Sequence, residues 1–145
     1  SKKIYDAFMT GPEHMVELFH GYTYSGHPLA AVAGLATLDI YKDEGLFERS
    51  AKLDPVLADA MMSLKGAPNV EDIRTVGLLS GIDLAPIPGK PGLRGFEATE
   101  RMYHDFDIYV RVALDTLVIA PPLVSSERDI AEIRDRLAKV LTAVA

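Results

Sequence analysis

The stretch His20-Gly21-Tyr22-Thr23-Tyr24-Ser25-Gly26-His27-Pro28 decides how the rest of the chain is read. Two glycines, hydroxyl-bearing side chains and two histidines stand together, and a proline then opens a long apolar segment. Glycine lets a backbone approach a ligand closely or take positive φ. Ser25 or Gly26 can serve as N-cap, and Pro28 suits the first helical turn. Thr23 offers a hydroxyl just ahead of a helix N-terminus, where free N–H groups and the macrodipole favour an anion. Two readings follow from the chemistry: a turn whose hydroxyls only cap the next helix, or an anion site.

Downstream, Pro28 to Tyr41 reads as a helix. Leu29, Val32, Ala33, Ala36 and Ile40 follow helical spacing, while Ala30, Ala31, Gly34 and Leu35 leave almost no polar face. A helix apolar nearly all round is buried on several sides. It is either the central helix of this chain's core or a helix that packs against a larger domain or subunit. Upstream, Lys3 to Met9 reads as a short helix with Ile4, Ala7 and Phe8 on one face, stopped by Thr10-Gly11-Pro12. Pro12 to Leu18 reads as a second short turn.

Leu46 to Leu64 resumes a helical pattern, which Pro55 kinks or restarts with Asp54 as cap. Gly66, Pro68 and Asn69 end it and mark a boundary between a helical part and an α+β part. Val70 to Arg74 and Leu78 to Leu84 read as strands joined near Gly77. Gly81 inside the second strand signals a bulge or a close neighbour. Arg74 reads as one half of a structural salt bridge. Pro86 to Gly92 is a loop, and Leu93 to Asp105 a helix with Phe96, Thr99, Met102 and Tyr103 inward. Ile108 to Val112 and Thr116 to Ile119 are short strands. Ser125 or Ser126 caps a last helix with the stripe Ile130, Ile133, Leu137, Val140 and Leu141. The second half is therefore a small sheet with helices on one face.

Bulk properties narrow the function classes. The 145 residues fit one domain with a fair core, 48% are hydrophobic and 25% charged. A net charge of −6 argues against a nucleic-acid surface, and the absence of cysteine excludes disulfides and thiolate metal sites. No apolar run approaches the ~18 residues of a membrane span. No stretch reads as a signal peptide, so the cytoplasm is the expected compartment. His20, His27 and His104 have no carboxylate placed to complete a metal site, and none is expected.

Arg111 lies in Tyr109-Val110-Arg111-Val112, among strand formers. In a regular strand it points opposite to Val110 and Val112. Arginine among apolar residues needs an anion, and its fork suits a carboxylate. That carboxylate belongs either to a protein Asp or Glu or to a ligand.

The run H-G-Y-T-Y-S-G-H-P-L-A, followed by A-G-L-A-T-L-D-I-Y, resembles class III (omega) aminotransferases, pyridoxal-phosphate enzymes of fold type I. The segment I-R-T-V-G-L-L-S-G-I-D-L is similar to the family's strand pair with glycine at the turn. The likeness runs from Ser1 to Ala145, in family order, and is nearest to the beta-alanine/omega-amino acid:pyruvate transaminases. It implies an α+β architecture: the end of a fold type I large domain and a connecting helix over 1–66, then over 67–145 a small C-terminal domain whose antiparallel-rich sheet is covered by helices. It also implies the C-terminal third of a longer enzyme, which Ser1 at the start of the chain fits.

The same resemblance implies roles. Thr23 and Tyr22 match an aromatic-Thr pair that reaches the neighbouring subunit's cofactor. Thr23 and adjacent N–H groups would bind the 5′-phosphate of pyridoxal phosphate, and Tyr22 would line the substrate entrance. Tyr stands where Phe is frequent. Arg111 would bind the substrate carboxylate and turn away for an apolar amine. A homodimer, or a dimer of dimers, follows from the shared site. The substrates implied are an omega-amino acid or amine and pyruvate. None of Lys2, Lys3, Lys42, Lys52, Lys65, Lys90 and Lys139 sits in the small, glycine-rich context of the family's catalytic lysine, so no catalytic residue is expected here. Two alternatives stand beside this reading: a non-catalytic anion-binding module, and a class III enzyme using GABA, ornithine or taurine.

Overall fold

The computed structural model describes residues 1–11 and 21–144. Among them the elements run α1 (Lys2–Phe8), α2 (Pro28–Asp43), α3 (Leu46–Met62), β1 (Val70–Val76), β2 (Leu79–Leu84), α4 (Leu93–Phe106), β3 (Arg111–Ala113), β4 (Thr116–Ile119) and α5 (Glu127–Ala143). The turn expected at Pro12 to Leu18, and His20 after it, lie outside the described residues. The chain divides into two compact units, Ser1–Leu38 and Asp39–Ala145.

In the first unit, α1 buries no residue, and its apolar Ile4 and Phe8 are exposed. The turn at 23–26 precedes α2. Ser25 N–H donates to the Tyr22 carbonyl (2.9 Å) and His27 N–H to that of Tyr24 (3.2 Å). Gly26 takes φ +76°, which glycine adopts freely. The first carbonyl of the helical ladder is that of His27, which accepts from Ala31 N–H at 2.9 Å. His27 therefore holds the cap position expected for Ser25 or Gly26, because the turn consumes those two before the helix begins. No residue of α2 is buried.

The second unit is built on an antiparallel sheet of order β1-β2-β4-β3. Alternation sends Ile73, Ile82, Leu117 and Ile119 to one face, where α3, α4 and α5 cover them. Leu53, Leu57 and Met61 of α3 and Ile130, Leu137, Val140 and Leu141 of α5 complete that core. α3 passes through Pro55 without restarting, so Asp54 is not a cap. Burial of Leu53 and Leu57 on either side holds the helix across the proline. Arg49 of α3 donates to the Val124 (3.0 Å) and Ser125 (2.7 Å) carbonyls, tying α3 to the loop before α5. Ser126 caps α5 in a capping box with Asp129, whose carboxyl the Ser126 N–H holds below the usual carboxylate range.

Two further expectations change. In α4 the inward residues are Gly95, Ala98 and Met102, with Thr99 half-buried, while Phe96 and Tyr103 are exposed. The helix approaches the sheet through its small residues, which turns the aromatics to the side. The third strand is shorter and later than Ile108 to Val112: only Arg111–Ala113 pair with β4.

Candidate functional site

In the second unit the sheet face opposite the helices is open. Register places Arg111, Val118, Gly81 and Arg74 in one cross-strand row on that face. Val110 is buried and Val112 half-buried on the other side, so Arg111 points outward from the edge strand β3. Its apolar neighbours in sequence belong to the core; its own side chain does not. Arg111 makes no ion pair among the described residues.

Arg74 is different. Its guanidinium grips Asp83 in two hydrogen bonds, one of them Nη2 to Oδ1 at 2.9 Å, and lies 3.5 Å from Asp72. Asp83 also accepts from Thr116 Oγ1 at 2.7 Å. The hydrogen bond from Arg74, then that from Thr116, keeps the Asp83 carboxyl below the usual carboxylate range. Gly81 makes room: a Cβ there would meet Arg74 Nε at 3.4 Å and Cζ at 3.5 Å. The close neighbour signalled by this glycine is thus the guanidinium of Arg74. The row carries two arginines, one neutralised within the sheet and one that makes no ion pair among the described residues. The structural salt bridge expected for Arg74 is present, and strand register brings its partner Asp83, with Thr116, to it.

In the first unit Thr23 and Tyr22 are exposed. Thr23 Oγ1 has no hydrogen-bond partner among the described residues. A Cβ at Gly21 would meet nothing within 4 Å, so the backbone there is open to approach. Residues 21–27 include no Lys or Arg. The donors on offer, a hydroxyl and turn amides, suit phosphate oxygens but bring no full positive charge. They fit a supplementary contact to a phosphate whose charge is balanced by other groups. Thr23 and Tyr22 belong to one unit and Arg111 to the other.

His27 and His104 are exposed, and His104 meets Tyr103 edge-on at 5.0 Å between ring centroids. Among the described residues no three His, Cys, Asp or Glu side chains come together as a metal would require. No helix among them is long and apolar enough to cross a membrane.

Comparison with known proteins places this architecture. The family described as "Aminotransferase class-III" matches residues 1–141. The chain is 45% identical to the omega-aminotransferase of Caulobacter vibrioides over 99% of this chain and 33% of that protein. It is 42% identical to the beta-alanine–pyruvate aminotransferase of Pseudomonas aeruginosa, over 100% of this chain and 33% of that one. The chain thus spans about a third of the length of these curated relatives. Among solved structures, the omega transaminase of Pseudomonas jessenii in complex with PMP superposes with TM-score 0.76 at 29% identity, over 88% of this chain and 29% of that one. The adenosylmethionine-8-amino-7-oxononanoate aminotransferase of Methanocaldococcus jannaschii gives 0.72 at 28%, over 99% and 34%. The family match runs over residues 1–141 and the identities of 45% and 42% extend over essentially the whole chain, so the chain belongs to the class III aminotransferases.

Proposed function

We propose that this chain is the C-terminal part of a pyridoxal-phosphate-dependent omega-aminotransferase. The whole enzyme moves an amino group from an omega-amino acid or amine to pyruvate. Residues 1–66 are the end of the large domain with its interdomain helical segment, and 67–145 the small domain. Relatives whose names include pyruvate or omega-aminotransferase share 41–45% of this sequence, whereas the gamma-aminobutyrate transaminases share 28–29%. That gap favours the pyruvate-linked reaction.

The observation that carries the reading is the contrast within the sheet row. Arg74 is satisfied by Asp83, while Arg111, on the outer side of an edge strand, makes no ion pair among the described residues. A planar fork so placed suits a substrate carboxylate, bound bidentately. Arg111 orients that carboxylate so that the amino end meets the reacting carbon, and its long side chain can swing out when the donor has none. Pyridoxal phosphate, when bound, supplies the electron sink for removal of the donor's proton. Thr23 would donate its hydroxyl to the phosphate, and Tyr22 would line the entrance. Because this pair would serve the neighbouring subunit's cofactor, the working form is a homodimer or a dimer of dimers. The lysine that holds the cofactor belongs to the preceding part of the enzyme. The proposed compartment is the cytoplasm.

The test is Arg111→Ala in the full-length enzyme, assayed with donors that differ in the carboxylate. Efficiency with β-alanine is expected to fall about a hundredfold and with propylamine less than about threefold. An equal fall for both removes Arg111 from the site.

A further inference from the structure

We infer that Asp115 is a positioning residue for Arg111, acting by clamping the β3–β4 turn onto the start of α4; the inference rests on Arg111 binding the substrate carboxylate. β3 is three residues long and pairs on one side only. So short an edge strand has little hold of its own on the direction of its side chains. Its turn is also strained, since Leu114 takes φ +53°. Left-handed backbone at a residue with a Cβ persists where the surroundings impose it.

The imposing element is the first turn of α4. The N-cap of that helix is Gly92, which has no side chain to cap with. Asp115 supplies the missing acceptors from across the fold: Oδ2 accepts from Gly92 N–H at 2.6 Å and Oδ1 from Gly95 N–H at 3.1 Å. A carboxylate at a helix start also meets the favourable end of the macrodipole. Its own carbonyl accepts from Leu84 N–H at 2.9 Å, so the same residue is fastened to β2. Contact is close enough to require glycine. A Cβ at Gly95 would stand 2.3 Å from the Leu114 carbonyl oxygen and 2.9 Å from both Asp115 Cα and Val112 Cγ2. The helix backbone therefore rests on the hairpin. Arg111 and Asp115 sit at opposite ends of one short segment, and what holds the turn sets the angle at which Arg111 leaves the sheet. Without the Asp115 carboxylate two N–H groups lose their acceptor, while Leu117 and the rest of the core stay in place. Arg111 is then still present but covers a wider range of positions, which weakens a bidentate contact more than any other function of the site.

The experiment uses the full-length enzyme in the donor half-reaction, with keto acid absent, and compares β-alanine with propylamine. Asp115→Ala is expected to raise the β-alanine concentration that half-saturates the single-turnover rate about tenfold and to change that for propylamine less than about twofold, with Asp115→Asn giving about a third of the effect because it retains one acceptor. In the Arg111→Ala background Asp115→Ala should change β-alanine efficiency less than about twofold, since the group it positions is gone. Equal losses for both donors, no loss for either, or a further tenfold loss in the Arg111→Ala background overturn the inference. If Arg111→Ala discriminates between the donors and Asp115→Ala does not, the positioning role falls and the clamp stands. If Arg111→Ala itself fails to discriminate, both fall. Should Asp115→Ala not accumulate as folded enzyme, Asp115→Asn carries the same comparison, with a rise of about threefold confined to β-alanine.

Discussion

Helices α2 and α5 are of nearly equal length, 16 and 17 residues, and their surroundings are opposite. α5 is amphipathic: Ile130, Leu137, Val140 and Leu141 are buried, and acidic residues and a capping box finish its N-terminus. α2 is apolar on all sides and buries nothing, with Leu29 76% and Leu35 64% exposed. A striped helix needs one neighbour, and α5 has it within its own unit. A helix without a polar face needs cover from several directions, and the rest of its own unit, Ser1–Leu38, does not supply it. The pattern of a helix thus says how many neighbours it was selected to have, whether or not they are present.

The sharpest way to break this comparison is truncation. In the 145-residue chain Leu137→Ala is expected to lose about 3 kcal/mol of stability, the usual range for a buried leucine. Leu35→Ala in the same chain should change it by less than about 0.5 kcal/mol. Denaturant titration checks both, and similar losses would mean that α2 is buried after all. In the full-length enzyme Leu35→Asp should reduce assembly, read by sedimentation; an unaffected oligomer would leave the exposed face of α2 without a function.

A second test concerns the turn ahead of α2. Thr23→Ala in the full-length enzyme is expected to weaken retention of pyridoxal phosphate about tenfold, as for loss of one hydrogen bond to a charged group. Cofactor content after dialysis measures it, and unchanged retention rules out the phosphate contact.

A smaller effect comes from pH. Asp83 has its folded pKa lowered, chiefly by the hydrogen bond from Arg74. The stability it contributes is therefore complete above the ordinary carboxylate pKa, about 4, and is lost as pH falls through the lowered value. Acid titration of the chain should show a loss confined to that window, and Asp83→Asn should flatten it. An unchanged acid limb in Asp83→Asn would mean that the Arg74 pair is spectator chemistry. The smallest expected change is at Ser80, whose buried Oγ has no hydrogen-bond partner among the described residues. Ser80→Ala should be neutral or stabilise by up to about 1 kcal/mol; a clear loss would reveal a partner.

Much of the fold was legible because it depends on local rules. Period two in Val70–Val76 and Leu79–Leu84, glycine at the turn between them, Ser126 as cap and the stripe of α5 need no knowledge of the rest of the chain. The misreadings were tertiary. Phe96 and Tyr103 look like core residues, yet α4 docks through Gly95 and Ala98 because only small residues allow the helix so near the hairpin. Pro55 looks like a break, yet packing on both sides overrides it. Of the proposed site residues, Arg111 and Thr23 could be singled out from their sequence context and from likeness to a family. Asp115 could not: a Leu-Asp pair in a hairpin turn carries no sign of the helix it caps 23 residues away.

By itself the sequence determined the family, the order of helices and strands, and the presence of an apolar helix too rich in carbon for one neighbour. These follow from periodicity, turn chemistry and motif order, all carried by residues close along the chain. Only the tertiary structure decided which carboxylate holds Arg74 and how Arg111 leaves the sheet. Both rest on strand register, which brings Asp83 to Arg74 and places Arg111 on the edge strand, where it makes no ion pair among the described residues. Charges find partners by distance in space, and in a sheet that distance is set by pairing, not by separation along the chain.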